Sequence, residues 1–515
     1  MRFRAPLRTA RFAALPLLLC SAAQPALAQA VATASTQGSG ISQETALALI
    51  ARLDALEKRN AELQQQVTEL KTQTKAGDDA IRKDLGGTKV SLKDGRPAFA
   101  TADGKFTAAF RGVFQLDAAH YDQARPGPLA TDFRRGSLGD AAEADRARDM
   151  SDGANFRRAR IGVEGKAFGD WDYSFLYDFG GSGVESAGII NQAWLQYSGL
   201  GWGRLRIGAF APPASMDDAT STNGMPFLER AAVSEVIRGL AAGDGRTGAG
   251  LYANGERWNL SAIVTGNTVG VSTFDEQLAF VGRATFLPWK GEHGLVHVGL
   301  NTTQVIHPAA GGPNVAGGAV TNVRLRERTE SRVEGVRLAD TGNIDASSVA
   351  AYGVEAAAQF RAFSLQGEAF RIGVERRASA LPDPKFSGWY LQGAWTLTGE
   401  ARRYNIASAT FDAPKVEKPF SLKDRNWGVW ELAARYSDLD LDDGAVRGGE
   451  QQVWTLGLNW YPNNAVRFQA NYQHVDVDRV SPGGAAFGAG ALTPPAGAEI
   501  GQSLDIWSLR TQYAF

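Results

Sequence analysis

The sequence predicts an all-β transmembrane barrel of about 16 antiparallel strands, preceded by a short N-terminal α-helical coiled coil. Three observations carry this. A leucine heptad is confined to the region before residue 76. From Lys105 to the end, apolar and polar residues alternate with period two. The last alternating segment, Asp505 to Phe515, ends on a terminal aromatic.

The bulk numbers allow such a fold. Of 515 residues 44% are hydrophobic and 10% aromatic, with 59 Gly. No apolar run of about 18 residues follows the leader, so no helix is expected to span a membrane. Alternating strands average out in hydropathy and escape that test. The formal net charge of -1 gives no sign of nucleic-acid binding.

Residues 1–28 have the pattern of a cleaved secretory signal, which implies export. Arg2, Arg4, Arg8 and Arg11 form a basic start, Phe12 to Leu19 an apolar stretch, and Ala26-Leu27-Ala28 a cleavage site. Cys20 is the only cysteine and lies in this leader, behind Leu19, too large for a lipidation site. The mature chain then has no cysteine, which excludes disulfides and Cys-ligated metals. Residues 29–44, rich in Ala, Ser, Thr and Gly, are expected to form a flexible linker. In 45–75, Leu49, Leu56, Leu63 and Leu70 fit heptad position d, and Ala46, Leu53, Asn60 and Val67 fit position a. That spacing predicts a coiled coil, in which a polar Asn60 fixes register and oligomer state at a cost in stability. Residues 76–104 are polar and turn-rich and are expected to be a second linker.

From 105 to 515 the barrel is expected. Phe106, Ala108, Phe110, Phe114 and Leu116 alternate with Thr107, Arg111, Gln115 and Asp117. Trp171, Tyr173, Phe175, Tyr177 and Phe179 alternate with Asp172, Ser174 and Asp178. Each such strand has one apolar and one wet face. A soluble sandwich also alternates, but two features favour a membrane. Trp171, Trp202, Trp258, Trp289, Trp427 and Trp460 sit toward strand ends, as in interfacial girdles. Tight turns such as Gly169-Asp170 also alternate with long loops, as expected of a barrel with its long loops at one end. Phe515 resembles the terminal aromatic of an outer-membrane assembly signal and implies contact with the barrel assembly machinery.

Several stretches, in order, resemble the phosphate-selective porins, the O and P type porins of Gram-negative bacteria. They are Phe156-Arg157-Arg158-Ala159-Arg160-Ile161-Gly162-Val163-Glu164-Gly165, Gly169-Asp170-Trp171-Asp172-Tyr173, Arg206-Ile207-Gly208-Ala209-Phe210 followed by Met225-Pro226-Phe227-Leu228-Glu229-Arg230, Asp340-Thr341-Gly342, and Trp430 to Ser437. The resemblance implies a sixteen-stranded homotrimeric barrel in the bacterial outer membrane, a passive channel for small hydrophilic solutes, with anions such as phosphate preferred. No Ser/His/acid set shows tell-tale spacing, so no enzyme and no cofactor are expected, with a barrel hydrolase as a third reading that would need a catalytic set on an outward or loop face.

On this register Arg111, Arg158, Arg160, Lys166, Arg206, Arg283, Arg361, Arg435, Arg467 and Arg510 face the lumen, joined by Arg230 and Arg238 of a candidate constriction loop near 212–243. Charged rings set pore selectivity. A guanidinium suits phosphate and carboxylate because its fork is planar and permanently charged. The loop also holds Asp217, Asp218, Glu229 and Glu235 and has no lysine. Phosphate-selective members crowd basic residues, lysines included, at this point, so another small anionic or polar solute is equally compatible. A structural anchor or tether using the coiled coil is the alternative.

Two further signals are set aside. Gly243-Asp244-Gly245-Arg246-Thr247-Gly248 spells a dinucleotide fingerprint but is followed by β-like sequence rather than a helix. His293 and His297 would stand roughly 13 Å apart along a strand, too far to share a metal.

Overall fold

The computed structural model describes residues 43–84, 87–93, 95–123, 150–181, 188–311, 321–377, 379–478 and 502–515. The expected signal segment, Cys20 and the small-residue linker as far as residue 42 lie outside them. The chain divides into two compact units, Met1–Leu85 and Gly86–Phe515.

In the first unit, helix α1 spans Gln43–Asp84. It contains the heptads, and it continues past residue 75, so the start of the expected second linker is helical instead. Its first glycine is Gly77, and the stretch before it is rich in Leu, Glu, Gln and Lys, all good helix formers. Leu49, Leu53, Leu56, Leu63, Val67 and Leu70 all remain about half exposed. A single stripe of leucines on one helix has no second stripe of its own to pack against.

The second unit opens with another correction. Lys89–Lys93 and Arg96–Ala100 form a hairpin, turned at Gly95 with φ +78°. It is not a linker, because its second strand pairs with the first barrel strand at Ala98↔Ala109 and Phe99↔Ala108. The alternation in these short strands is too brief to stand out in the sequence.

The barrel strands are β1 (Thr107–Gln123), β2 (Gly153–Ala167), β3 (Trp171–Asp178), β4 (Ile189–Leu200), β5 (Gly203–Phe210), β6 (Arg246–Asn254), β7 (Trp258–Thr268), β8 (Leu278–Gly291), β9 (Gly294–His307), β10 (Ile344–Phe360), β11 (Phe363–Arg376), β12 (Lys385–Thr396), β13 (Val429–Asp443), β14 (Val446–Tyr461), β15 (Val466–Asp478) and β16 (Gln502–Ala514). Each pairs antiparallel with the next, and β16 returns to β1 with Leu504↔Gln123 through Ala514↔Val113. The sheet is therefore closed and has no free edge.

Alternation divides the wall as expected. Phe110, Ile161, Phe175, Ile207, Leu300, Tyr352 and Leu509 are exposed on the outside, while Arg158, Gln115, Glu355 and Arg510 are buried inside. Trp171, Trp202, Trp258, Trp289, Trp427 and Trp460 all lie at the short-turn end. Tyr436, Trp454, Trp389, Tyr472 and Trp507 form ring contacts nearer the long-loop end. Trp454 and Trp460 share one strand and one face, roughly 20 Å apart along the strand at about 3.3 Å per residue, with Leu456 and Leu458 exposed between them.

The lumen is not uniformly wet, which corrects the expectation of one lipid and one aqueous face. Residues 211–245 fold inward and carry two helices, α2 (Met216–Ala219) and α3 (Ala232–Ala241). Val233, Val236 and Ile237 of α3 pack on an apolar patch of the inner wall, including Val281, Val305, Ile372 and Val374. Each such side chain contributes on the order of 1.5–3 kcal/mol of burial. Gly388 leaves the room, since a Cβ there would stand 2.7 Å from Val233. Part of 308–343 also turns inward, with Arg326–Glu327 paired to Ala339–Asp340.

Nor are the long connections confined to one end. Residues 397–428 leave the turn end and fold inside as a hairpin, Arg402–Asn405 with Thr410–Pro414. The set-aside glycine motif runs from the end of the 211–245 loop into β6 and contains no helix.

Candidate functional site

The inward-folded 211–245 segment is clamped to the wall by polar contacts. Glu368 on β11 accepts from the backbone N–H of Met216 at 2.8 Å and Asp217 at 2.9 Å, and from Tyr390 Oη at 2.8 Å. It thus satisfies the N-terminus of a helix too short to stand alone. At the other end Arg230 donates to the carbonyls of Asp217, Asp218 and Thr220 at 3.0–3.1 Å. Arg230 is the internal staple of the loop.

Four expected pore residues face inward and anchor segments inside the barrel. Arg510 clasps Asp117 with two bonds of 2.6 Å and reaches Leu228 O at 2.6 Å and Glu229 at 2.9 Å. Arg467 donates to Met225 O at 2.7 Å. Arg435 donates to Glu229 O at 3.0 Å, pairs with Glu330 and lies over the Phe227 ring. Arg283 pairs with Glu355 at 2.8 Å and holds the carbonyls of Ser408 and Ala409 in the inward hairpin. A buried guanidinium that donates to loop carbonyls, in three of the four cases beside a carboxylate, fixes position.

Lys166 pairs with Asp172 at 3.0 Å near the turn end, and its side chain is 46% exposed. Arg361 is a correction. It occupies the two-residue turn between β10 and β11 with φ +51°, exposed, and does not face the lumen. Strand alternation was extended one residue too far there.

The remaining cations converge on two cavities. The one toward the long loops has a volume of about 280 Å³ and is lined by Arg157, Arg158, Arg160, Arg230, Arg238 and Arg332 against Asp178, Glu235 and Asp244. The one toward the short turns has about 290 Å³ and is lined by Arg111, Arg160, Arg204, Arg206, Arg230 and Arg238 against Asp218 and Asp244. Arg160, Arg230, Arg238 and Asp244 border both. Asp244 accepts from Arg160 at 2.7 Å and pairs with Arg238 at 2.8 Å, so one carboxylate bridges two guanidiniums at the neck. Arg160 also holds Asp178 at 2.6 Å, and Arg238 holds Asp218 at 2.5 Å.

Three acids of the loop are outmatched. Burial opposes the charge of Asp244, but Arg160 and Arg238 overcome it and hold the carboxyl well below the usual range. Burial likewise opposes the charge of Glu229, yet Arg157, Arg158 and Arg510 keep its pKa well depressed. For Glu235, burial is outweighed by Arg332, Arg238 and Arg230, and the value falls to about 2. Their charge is satisfied locally, which leaves each cavity with an excess of cations.

Three cations in the cavities lack a carboxylate partner among the described residues, and one of them, Arg204, donates to Asn254 at 2.8 Å. Arg158, 2% exposed, donates to Gln115 at 2.6 Å. Arg206 donates to Gln196 at 2.8 Å, and its guanidinium carbon stands over the Trp194 ring, 4.2 Å from its centre, with Tyr252 at 4.7 Å.

Sequence alternation missed residues that bulges re-aim. A register shift on β2 between the Arg158 and Phe156 pairings turns Arg157 inward to Glu229 at 2.8 Å. Another on β4, where Leu176 pairs with Gln192 but Tyr177 with Ile190, buries Asn191 in the lower cavity. Arg332 comes from the 308–343 loop, which no periodicity marks. Asp244 was hidden in the glycine motif.

A family model described as phosphate-selective porin O and P matches residues 134–515. The chain is 28% identical over 437 residues to Porin O of Pseudomonas aeruginosa, covering 80% of this chain and 90% of that protein. It is 27% identical over 291 residues to an uncharacterized protein of Caulobacter vibrioides, covering 54% of each. Among solved structures, an anion-selective porin from Comamonas acidovorans aligns with TM-score 0.46 and 12% identity, over 80% of this chain and all of that one. With most of its length matched by that family model, the chain belongs to the phosphate-selective porin O and P family.

Proposed function

We propose that the protein is a passive outer-membrane channel for small hydrophilic solutes that prefers anions. The observation that carries this is the pair of cavities meeting at Arg160, Arg230, Arg238 and Asp244, where arginines outnumber acids six to three on one side and six to two on the other. Low-dielectric walls focus such a field and raise the local anion concentration. The resemblance to Porin O over most of both chains supports the same role. The neck holds arginine and no lysine, so a planar or bidentate anion such as phosphate or a carboxylate is suited to it. The half-exposed heptad stripe of α1 supports a homotrimer assembled through that helix. The exported chain would reach the outer membrane after loss of its leader.

Reversal potential across a salt gradient in a planar bilayer tests the proposal. A shift toward chloride is expected, and a shift toward potassium overturns the anion preference. Absence of stepwise conductance overturns the channel and leaves the barrel as an anchor for α1.

A further inference from the structure

We propose that the outer wall of the barrel binds a phosphorylated lipid of the leaflet on the long-loop side, with its phosphate between Arg371 and Lys385 and an acyl chain in the groove beside them. The proposal concerns the face turned to lipid and stands apart from what passes through the lumen. Four residues of β11 and β12 make the head site. Arg371 pairs with Ser387, and Gly373 pairs with Lys385. Arg371, Ser387 and Lys385 point outward, because Ile372 and Phe386 between them are buried inside. The two cations stand on one diagonal of this square, about 7–8 Å apart between Cα atoms, so their long side chains can share one anion. Ser387 adds a hydroxyl on the other diagonal, and Gly373 leaves open space where a Cβ would stand. Neither cation makes an ion pair among the described residues. The nearby acids serve backbone and hydroxyl donors instead. Asp440, opposite Ser387, accepts from Asp442 N–H at 2.9 Å, Asp442 from Gly449 N–H at 2.7 Å, Asp443 from Lys385 N–H at 2.7 Å, and Glu375 from Ser348 Oγ at 2.8 Å. Like charges set side by side oppose each other, and a phosphate accepting from both relieves that.

The level is that of a headgroup. Arg371 lies roughly 26 Å along its strand from Phe363 at the short-turn end, at about 3.3 Å per residue, and one row beyond Trp389, whose ring meets Tyr436. Arg371 and Ser387 border a groove of about 970 Å³ that crosses the outer face from β7 to β12. Leu260, Leu300, Val354 and Trp389 wall it, and Gly282 and Ala369 keep its floor low. A groove that is apolar along its length and cationic at its upper rim fits an amphiphile with an anionic head. An apolar belt surrounds the whole barrel, so the cations are what single out this place. A larger outer groove of about 1330 Å³ runs from β8 through β16 to β1, but beyond its Tyr472 and Trp507 stand Asp476 and Asp505, which repel a phosphate. Free phosphate would leave the groove of β7 to β12 unused, and a second copy of the chain would have to bury two unpaired cations.

The test mixes the full-length protein in neutral detergent with equal amounts of dioleoyl phosphatidate and dioleoyl phosphatidylcholine. Native mass spectrometry then counts the lipids that each subunit retains. Phosphatidate should be kept about tenfold more than phosphatidylcholine, as charge-assisted bonds to a phosphate that no choline covers would give. Arg371→Gln combined with Lys385→Gln should bring the two lipids to equal retention and leave chloride conductance as in wild type. Ala369→Trp should fill the groove and lower retention of both lipids with the cations intact. Equal retention by the wild-type protein overturns the site, and so does a phosphatidate preference that survives the double glutamine variant. If inorganic phosphate at the concentration of the lipid abolishes the preference, the cations take free phosphate and the lipid assignment falls. Loss of oligomer mass in the double variant assigns the face to a second copy and overturns the lipid site. The wild-type preference and the phosphate competition are read even if a variant fails to fold.

Discussion

Asp244 is a single carboxylate placed between two guanidiniums at the narrowing shared by both cavities. Replacing it by Asn keeps the shape and removes one negative charge from the path. At an effective dielectric near 20, a unit charge about 4 Å away acts with up to about 4 kcal/mol, and mobile ions screen much of that. Even about 1 kcal/mol of surviving effect gives a roughly fivefold rise in the chloride-to-potassium permeability ratio of Asp244→Asn, read from reversal potential. The depressed carboxyls make a second prediction. A carboxyl whose folded pKa lies below its unfolded value, about 4.3 for Glu, contributes stability above that value and loses it as pH falls through the folded one. Glu235 at about 2, with Asp244 and Glu229 also depressed, therefore stays paired well into acid. These three carboxyls should therefore add no step to single-channel conductance between about pH 7 and about pH 4, and Glu235 should titrate only as the pH nears about 2. At this scale the sequence marked Arg160, Arg206 and Arg238 through strand parity and loop position. It could not mark Arg157 or Asn191, because a bulge reverses parity without altering composition.

The expected constriction loop near 212–243 was legible as an element because it is a long segment between two alternating strands, and the structure folds 211–245 inward. Its inward direction has a reason in composition: Val233, Val236 and Ile237 need an apolar face, and the inner wall offers Val281, Val305 and Ile372. The inward hairpin at 402–414 was not legible. It lies at the end where turns are short, and its wall partners, Arg283 and Asn259, look like ordinary pore residues until Ser408, Ala409 and Ile406 lend them carbonyls. The loop's hold on the wall can be tested at Glu368. Glu368→Ala leaves the N–H groups of Met216 and Asp217 and the Tyr390 hydroxyl without their shared acceptor. Buried donors orphaned in this way cost about 1–3 kcal/mol each. Loosening of α2 should raise mean conductance and add open-channel noise in single-channel records, with the barrel still folded. A quiet trace with unchanged conductance would mean that Arg230 and Arg510 hold the loop unaided.

Closure of the whole barrel depends on the seam between the last strand and the first. The final residue completes it: Phe515 N–H donates to Gly112 O at 3.0 Å, and Gly112 N–H donates to Phe515 O at 3.1 Å. The aromatic ring folds over Gly112 on the outer face, beside Tyr513 at 5.3 Å between ring centres, in a space that a Cβ on Gly112 would overlap. Glycine is thus required here by close approach, and the ring covers the backbone that glycine leaves bare. The sequence showed the terminal aromatic and its alternating strand, but its partner lies 403 positions earlier in numbering and carries no signal except being a glycine in a strand. Both sides of this contact can be changed independently. Gly112→Val should force the ring out and strain the first strand, and removal of Phe515 should delete the ring and both terminal bonds. A barrel with an open seam has an unpaired edge in lipid, where each unsatisfied backbone group costs several kcal/mol. Both variants should therefore give less heat-resistant folded barrel in gel mobility assays and a lower melting temperature than wild type. Gly112→Val combined with Phe515→Ala should recover part of the loss, because the smaller terminal side chain gives the valine its space. Recovery would place the ring–glycine contact within the closing step. If the double variant is as poor as the two losses added, the glycine matters for its strand alone, and the terminal aromatic acts elsewhere.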